Sequence, residues 1–276
     1  MSDESGAGTS RGVYLNGATI MTTPTDRHVE ISRAAGYDGV EVRAERLLPD
    51  ADEVARAAEL VRATEVWSLN GIQVKTMLDG SLRRDLLDEE LPPRLEICRR
   101  LGAAYLLIVP PRMAGVDVEA AIAGAREGVA RIRDGAARDG IGVAFEFLGF
   151  GDCPVDTPER AGRVVDGLEA VGLVLDSCHW HASGSGPLDA FPVERLAMVH
   201  LNDAPPKPPR EIEDADRLLP GDGVIRLPEL IAALRARGFD GPWSLETFNP
   251  TYWDRDPVEV AREGRARLSR LLGPPA

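Results

Sequence analysis

Apolar residues fall along the chain in short runs, each broken by a polar residue near its end and separated from the next by a stretch of helical spacing. The clearest run is Val171-Gly172-Leu173-Val174-Leu175, closed by Asp176-Ser177-Cys178-His179-Trp180-His181. It is too short for an ordinary helix and reads as a strand buried on both faces. Its polar end is then the carboxyl end, where parallel α/β sheets build their sites. Residues 143–147 repeat the design around Glu146, 197–203 around His200 and 243–248 around Glu246. Four earlier strands are expected at 13–19, 40–43, 66–70 and 105–109. Between them, helical patterns cover 26–35, 50–64, 82–101, 118–139, 156–169, 227–237 and 257–272. Glycines at 36, 140 and 238 stop helices, and Asp156-Thr157-Pro158-Glu159 starts one. Pro92 and Pro93 predict a break in the middle of 82–101.

Eight strands alternating with helices imply a parallel sheet with right-handed crossovers. In 276 residues this predicts one closed (β/α)8 TIM barrel over residues 12–276. No G-x-G-x-x-G follows the first strand, which speaks against a dinucleotide-binding sheet. Residues 1–11, rich in Ser, Gly and Asp, are expected to form a disordered leader. The polar, Pro-rich excursion over 204–222 is too long for a plain connection and is expected to be a functional loop.

Composition narrows the function classes. The net charge of -13 repels polyanions and opposes nucleic acid as a partner. The apolar runs are far shorter than a membrane span, so no membrane partner is expected. No basic region followed by an apolar core opens the chain, and Cys98, Cys153 and Cys178 show neither disulfide nor zinc spacing. Together these features point to a cytoplasmic protein. Independently of them, a monomer or homodimer is expected.

Closing the barrel brings the carboxyl ends of strands five to eight around one mouth, and with them Glu146, Asp176, His200 and Glu246. A single acid at a strand end is more often a cap or an ion-pair partner; four ligand-type residues on consecutive strands reverse that expectation. Three buried carboxylates repel one another unless a cation neutralises them. One divalent ion, Mn, Co, Mg, Fe or Zn, suits this oxygen-rich set with a single imidazole. His179 and His181 follow Asp176 and are candidates for substrate contact or proton relay, whereas His28, in a polar helical stretch, is expected at the surface. Arg217 ahead of Leu219-Pro220-Gly221-Asp222-Gly223 is a candidate clamp on a substrate oxygen. Arg43 and Asn16, at the ends of strands two and one, point to the same mouth. Trp67, Trp180 and Trp253 are either apolar walls for a substrate ring or ordinary core.

The quartet in the settings FEF, LVLDSCHWH, VHLND and SLETF resembles the xylose-isomerase-like barrels, a superfamily of sugar isomerases, epimerases and a few dehydratases. Within it, LNGAT, GYDGVEVR, EFLGFGDCPVDT, GLVLDSCHWHASGS, DRLLPGDGVI and SLETFNPTYW resemble the bacterial inosose isomerases. The resemblance implies metal binding by Glu146, Asp176, His200 and Glu246, and substrate contact by His179 and Arg217. It implies isomerisation or epimerisation of an unphosphorylated polyol ketone, an inosose or ketose, through a metal-bound enediolate. Glu146 and Glu246 would serve as acid and base. The alternative is dehydration of a dehydroshikimate-like acid on the same scaffold, with Arg43, Lys75 and Arg210 as the cations for its carboxylate.

Overall fold

The computed structural model describes residues 12–273; the expected leader over 1–11 lies outside them. Strands β1 (Val13–Asn16), β2 (Gly39–Arg43), β3 (Val66–Gln73), β4 (Tyr105–Val109), β5 (Gly142–Glu146), β6 (Val171–Asp176), β7 (Leu196–Leu201) and β8 (Trp243–Leu245) are all parallel. Each pairs with its sequence neighbours, and β8 returns to β1 to close the barrel. Helices α1 (Thr25–Ala35), α2 (Ala44–Leu47), α3 (Ala51–Leu60), α4 (Arg84–Leu101) and α5 (Val118–Ala137) accompany the first half. The second half carries α6 (Pro158–Val165), α7 (Ser177–Ala182), α8 (Leu227–Ala236), α9 (Pro250–Trp253) and α10 (Pro257–Leu272). Among the described residues no helix is long and apolar enough to cross a membrane.

The alternation of side chains along each strand builds the site. Outward residues such as Leu15, Val42, Ile108, Phe145, Leu175 and Leu201 pack with the helices in the main core. Inward residues Tyr14, Trp67, Leu107, Ala144, Val174 and Met198 form a separate apolar plug inside the barrel. Two positions further along β1, β5, β6 and β7, the next inward residues are Asn16, Glu146, Asp176 and His200. A polar layer therefore rests on an apolar floor at the carboxyl end of the sheet. Trp67, stacked on Tyr105 with ring centroids 4.6 Å apart, belongs to that floor and not to the mouth.

Two sequence expectations are corrected. Helix α4 runs unbroken through Pro92 and Pro93. Both prolines face solvent, where the carbonyls they leave unpaired can be hydrated. His28 is not at the surface but buried under β1, with Nε2 3.0 Å from the Leu15 carbonyl oxygen, to which it donates as the neutral ring. Polar neighbours in α1 concealed it: Arg27 and Glu30 face solvent while His28, Val29, Ile31 and Ser32 face the barrel.

Burial lowers the His28 pKa to about 4. Folding thus favours the neutral ring, so its contribution is fully present above pH 6.5 and is lost as pH falls toward 4. About 2 kcal/mol of it is gone by pH 5. In urea titrations, His28→Gln is expected to flatten the loss of stability between pH 7 and pH 5 by about that amount. Parallel curves for the two proteins would contradict a neutral buried His28.

Candidate active site

Strand register places the four expected ligands. Asp176 is paired with His200, and His200 in turn with Ser244; Glu146 ends β5 and Glu246 directly follows β8. One ligand atom from each of Glu146, Asp176, His200 and Glu246 falls within 4.8 Å of all the others, and all four residues are buried. His200 Nδ1 lies 3.2 Å from Glu146 Oε1 and 3.1 Å from Glu246 Oε2. His200 Nδ1 and Glu146 Oε1 nevertheless have no hydrogen-bond partner. Lone pairs converging at this spacing suit atoms that share one cation at about 2.0–2.2 Å each. The donor set therefore fits a divalent ion.

The electrostatics agree. Burial lowers the His200 pKa, but when no cation lies among them Glu246, Glu41 and Glu146 outweigh it and hold the ring well above its ordinary value, drawing onto the ring a positive charge that a bound ion would supply in its place. Burial pushes Glu146 up to about 7, against the pull of His200. Glu246 is equally buried, yet His200, Arg217 and Arg43 hold it below the ordinary carboxylate range. Two carboxylates of one site are thus driven apart by their surroundings.

Arg217 comes from the Pro-rich loop and is almost inaccessible to solvent. Its Nη1 donates to Asp176 Oδ2 at 3.0 Å and to Glu246 Oε2 at 2.9 Å; its Nη2 lies 2.9 Å from both His179 Nε2 and Asp214 Oδ1. An arginine has only donors, so His179 Nε2 accepts and the ring's proton is on Nδ1. Burial and the neighbouring guanidinium keep His179 neutral. Asp176 also caps α7, its Oδ1 accepting from the His179 amide at 2.8 Å, which ties His179 to the same strand end.

The loop is fastened by Asp203, a residue not anticipated from sequence. Its carboxylate accepts from the amides of Ala204, Gly221 and Ile225 at 2.9, 3.0 and 2.9 Å. Asp203 also pairs with Leu218 in an isolated antiparallel bridge. Gly223 permits this approach, since a Cβ there would sit 2.2 Å from the Ala204 carbonyl oxygen. The Arg217 carbonyl is held by Asn249 Nδ2 at 3.0 Å.

A cavity of about 470 Å³ opens above the polar layer. Arg43, Glu146, His179, Arg217 and Glu246 line it, while Asp176 and His200 are buried behind. Asn16 lies below, its Nδ2 donating to Glu41 Oε1 and Asn70 Oδ1, each at 3.2 Å. His181 and Trp180 are not on the cavity wall; His181 Nδ1 is 3.3 Å from Ser185 Oγ and Trp180 Nε1 donates to the Gly186 carbonyl. Trp253 donates to the Ala18 carbonyl instead of facing the cavity. The aromatic walls are Phe150, edge-on to His179 at 4.8 Å, and Phe248, with Arg43 and Arg217 at 4.8 and 5.4 Å from its centroid.

A closed parallel barrel with a buried carboxylate–imidazole cluster at its carboxyl-end mouth, able to hold a metal ion, places the chain among TIM-barrel enzymes. The chain belongs to the xylose isomerase-like TIM barrel family, whose sequence profile matches residues 29–271. It is 30% identical to an inosose isomerase of Bacillus velezensis over 266 residues, 91% of this chain and 94% of that protein. It is 25% identical to the IOLI protein, whose 1.8 Å crystal structure has a bound zinc atom, with a TM-score of 0.86 over 95% of this chain and 98% of that one. A 3-dehydroshikimate dehydratase of Pseudomonas aeruginosa is 28% identical over 242 residues, 84% of this chain but 37% of that longer protein. The chain is an isomerase of this family.

Proposed function

We propose that the protein isomerises an unphosphorylated hydroxyketone with the help of one divalent metal ion, and that an inosose is its substrate. The observation that carries this reading is the convergence of His200 Nδ1, Glu146 Oε1 and Glu246 Oε2 at 3.1–3.2 Å without hydrogen bonds between them. The names of its relatives and the zinc in the IOLI structure support the same reading. Glu146, Asp176, His200 and Glu246 would hold the ion, which supplies Lewis-acid polarisation of the ketone and so acidifies the neighbouring C–H.

The chain's own groups carry the proton. Glu146 or Glu246 removes it from the carbon beside the carbonyl, giving an enediolate. Return of a proton to the former carbonyl carbon moves the ketone one position, while return to the original carbon from the opposite face gives an epimer. Glu146 lines the cavity with a carboxyl that burial pushes up to about 7, whereas Glu246 is held ionised by Arg43 and Arg217. His179, lining the cavity with Nδ1–H free of protein partners, would hold a substrate oxygen; Arg217, whose Nη1 and Nη2 are engaged by Asp176, Glu246, His179 and Asp214, has only Nε left for one. Phe150 and Phe248 offer apolar faces to ring carbons.

The charge balance of the wall favours an uncharged substrate over a carboxylate. Arg43 is paired with Glu45, Lys75 and Arg94 with Glu90, and Arg112 with Asp152 and Glu213. Arg210 is engaged by Asp156 outside the cavity. Each cation proposed for a dehydroshikimate-like acid thus already has an acidic partner. Removal of divalent ions with a chelator is expected to lower inosose turnover about 100-fold or more, and readdition to restore it. Full turnover by protein verified to be metal-free would remove the ion from the mechanism.

A further inference from the structure

Glu41 belongs to none of the four groups above, yet its buried carboxylate is held from several strands. Oε1 accepts from Asn16 Nδ2 on β1 at 3.2 Å and lies 3.1 Å from His200 Nε2 on β7. Oε2 accepts from Ser68 Oγ and Asn70 Nδ2 on β3 at 2.7 and 3.1 Å and also lies 3.3 Å from His200 Nε2. Asn70 is fixed in turn, donating to Ser68 Oγ and accepting from Arg43 Nη1. A carboxylate gripped on both oxygens has one orientation open to it, and that orientation presents an acceptor to His200.

A neutral imidazole carries a single N–H. With the proton on Nε2, the Nδ1 lone pair is free on the side of Glu146 and Glu246; with the proton on Nδ1, that side is blocked. We propose that Glu41 is a positioning residue of the metal centre: by accepting the Nε2–H of His200 it sets the tautomer and ring plane that turn Nδ1 toward the ion. The inference rests on the reading of the quartet as a metal site. Carboxylates that orient a ligating imidazole in this way commonly contribute about 10- to 100-fold in metal affinity. Glutamine cannot take over the role without loss. Its NH2 would meet the donors of Ser68 and Asn70 on one side or His200 on the other.

The test uses the full chain loaded with zinc. Nitrogen-15 NMR of the histidine rings in the wild-type protein is expected to show His200 protonated at Nε2 and ligated at Nδ1. Zinc affinity, measured by competition with a chromophoric chelator, is expected to fall about 10- to 100-fold in Glu41→Gln. If Glu41 were purely structural, Glu41→Gln would lower thermal stability and leave zinc affinity unchanged. Ligation through Nε2, or affinity in the variant within about twofold of wild type, would overturn the proposal. If Glu41→Gln does not fold, Glu41→Asp, which draws the acceptor back from Nε2, replaces it in the affinity measurement with the same two outcomes. Failure of the wild-type protein to take up zinc would instead overturn the quartet as a zinc site, and the Glu41 proposal with it.

Discussion

Glu246→Gln is expected to retain the barrel and lose solvent-deuterium exchange into the substrate by about 100-fold to 10,000-fold, the range over which a positioned acid or base acts. The amide matches the carboxylate in size but can neither take a proton nor balance the two guanidiniums that grip it, Arg43 Nη1 at 3.2 Å and Arg217 Nη1 at 2.9 Å. Because the residue is also an expected ligand, exchange is to be measured at saturating metal, with bound metal quantified alongside. Loss of exchange with metal retained assigns Glu246 to proton transfer. Loss of both assigns it to the ion alone. Undiminished exchange removes it from the mechanism.

Arg217→Met carries the second large effect, and it falls on stability. The guanidinium is 1% exposed and lies between Asp176, Asp214 and Glu246. Removing one partner from a buried ion-pair network leaves uncompensated charge at a cost of about 3–5 kcal/mol. In urea titrations with chelator present, the variant is expected to be destabilised by that amount. Saturating divalent metal should recover part of the loss, since it supplies positive charge to two of the same carboxylates. A loss below about 1 kcal/mol without metal would mean that the cluster tolerates its own repulsion and needs no cation.

The strands and the quartet were legible in the chain because the barrel imposes a simple rule. A run buried on both faces has no reason to end in an acid or an imidazole unless the carboxyl end of the strand carries the site. Asp176 and His200 obey that rule openly, as do Glu146 and Glu246. Glu41 obeys a subtler one. In Val40-Glu41-Val42-Arg43 the alternation turns both charged residues inward, so the signal was present although the strand looked ordinary. Asp203 was hidden because its task is to gather amides from residues 18 and 22 positions away, and no local pattern records such closure.

His28 and Trp180 depart from expectation for a related reason. Whether a helical histidine faces water depends on the phase of the helix against the sheet, and α1 turns it inward beneath Leu15. Trp180 follows a strand that does carry the site, but α7 directs its indole to the Gly186 carbonyl, away from the cavity wall. The prolines of α4 stayed inside the helix because they occupy its solvent face, where a missing amide is least costly.

The most direct test of the account is proton NMR in D2O of the metal-loaded protein with 2-keto-myo-inositol, following deuterium incorporation and new ring signals together. The account predicts deuterium entering beside the carbonyl as signals of an isomeric inosose appear. Bound metal with neither exchange nor product would contradict the assignment of an inosose as substrate.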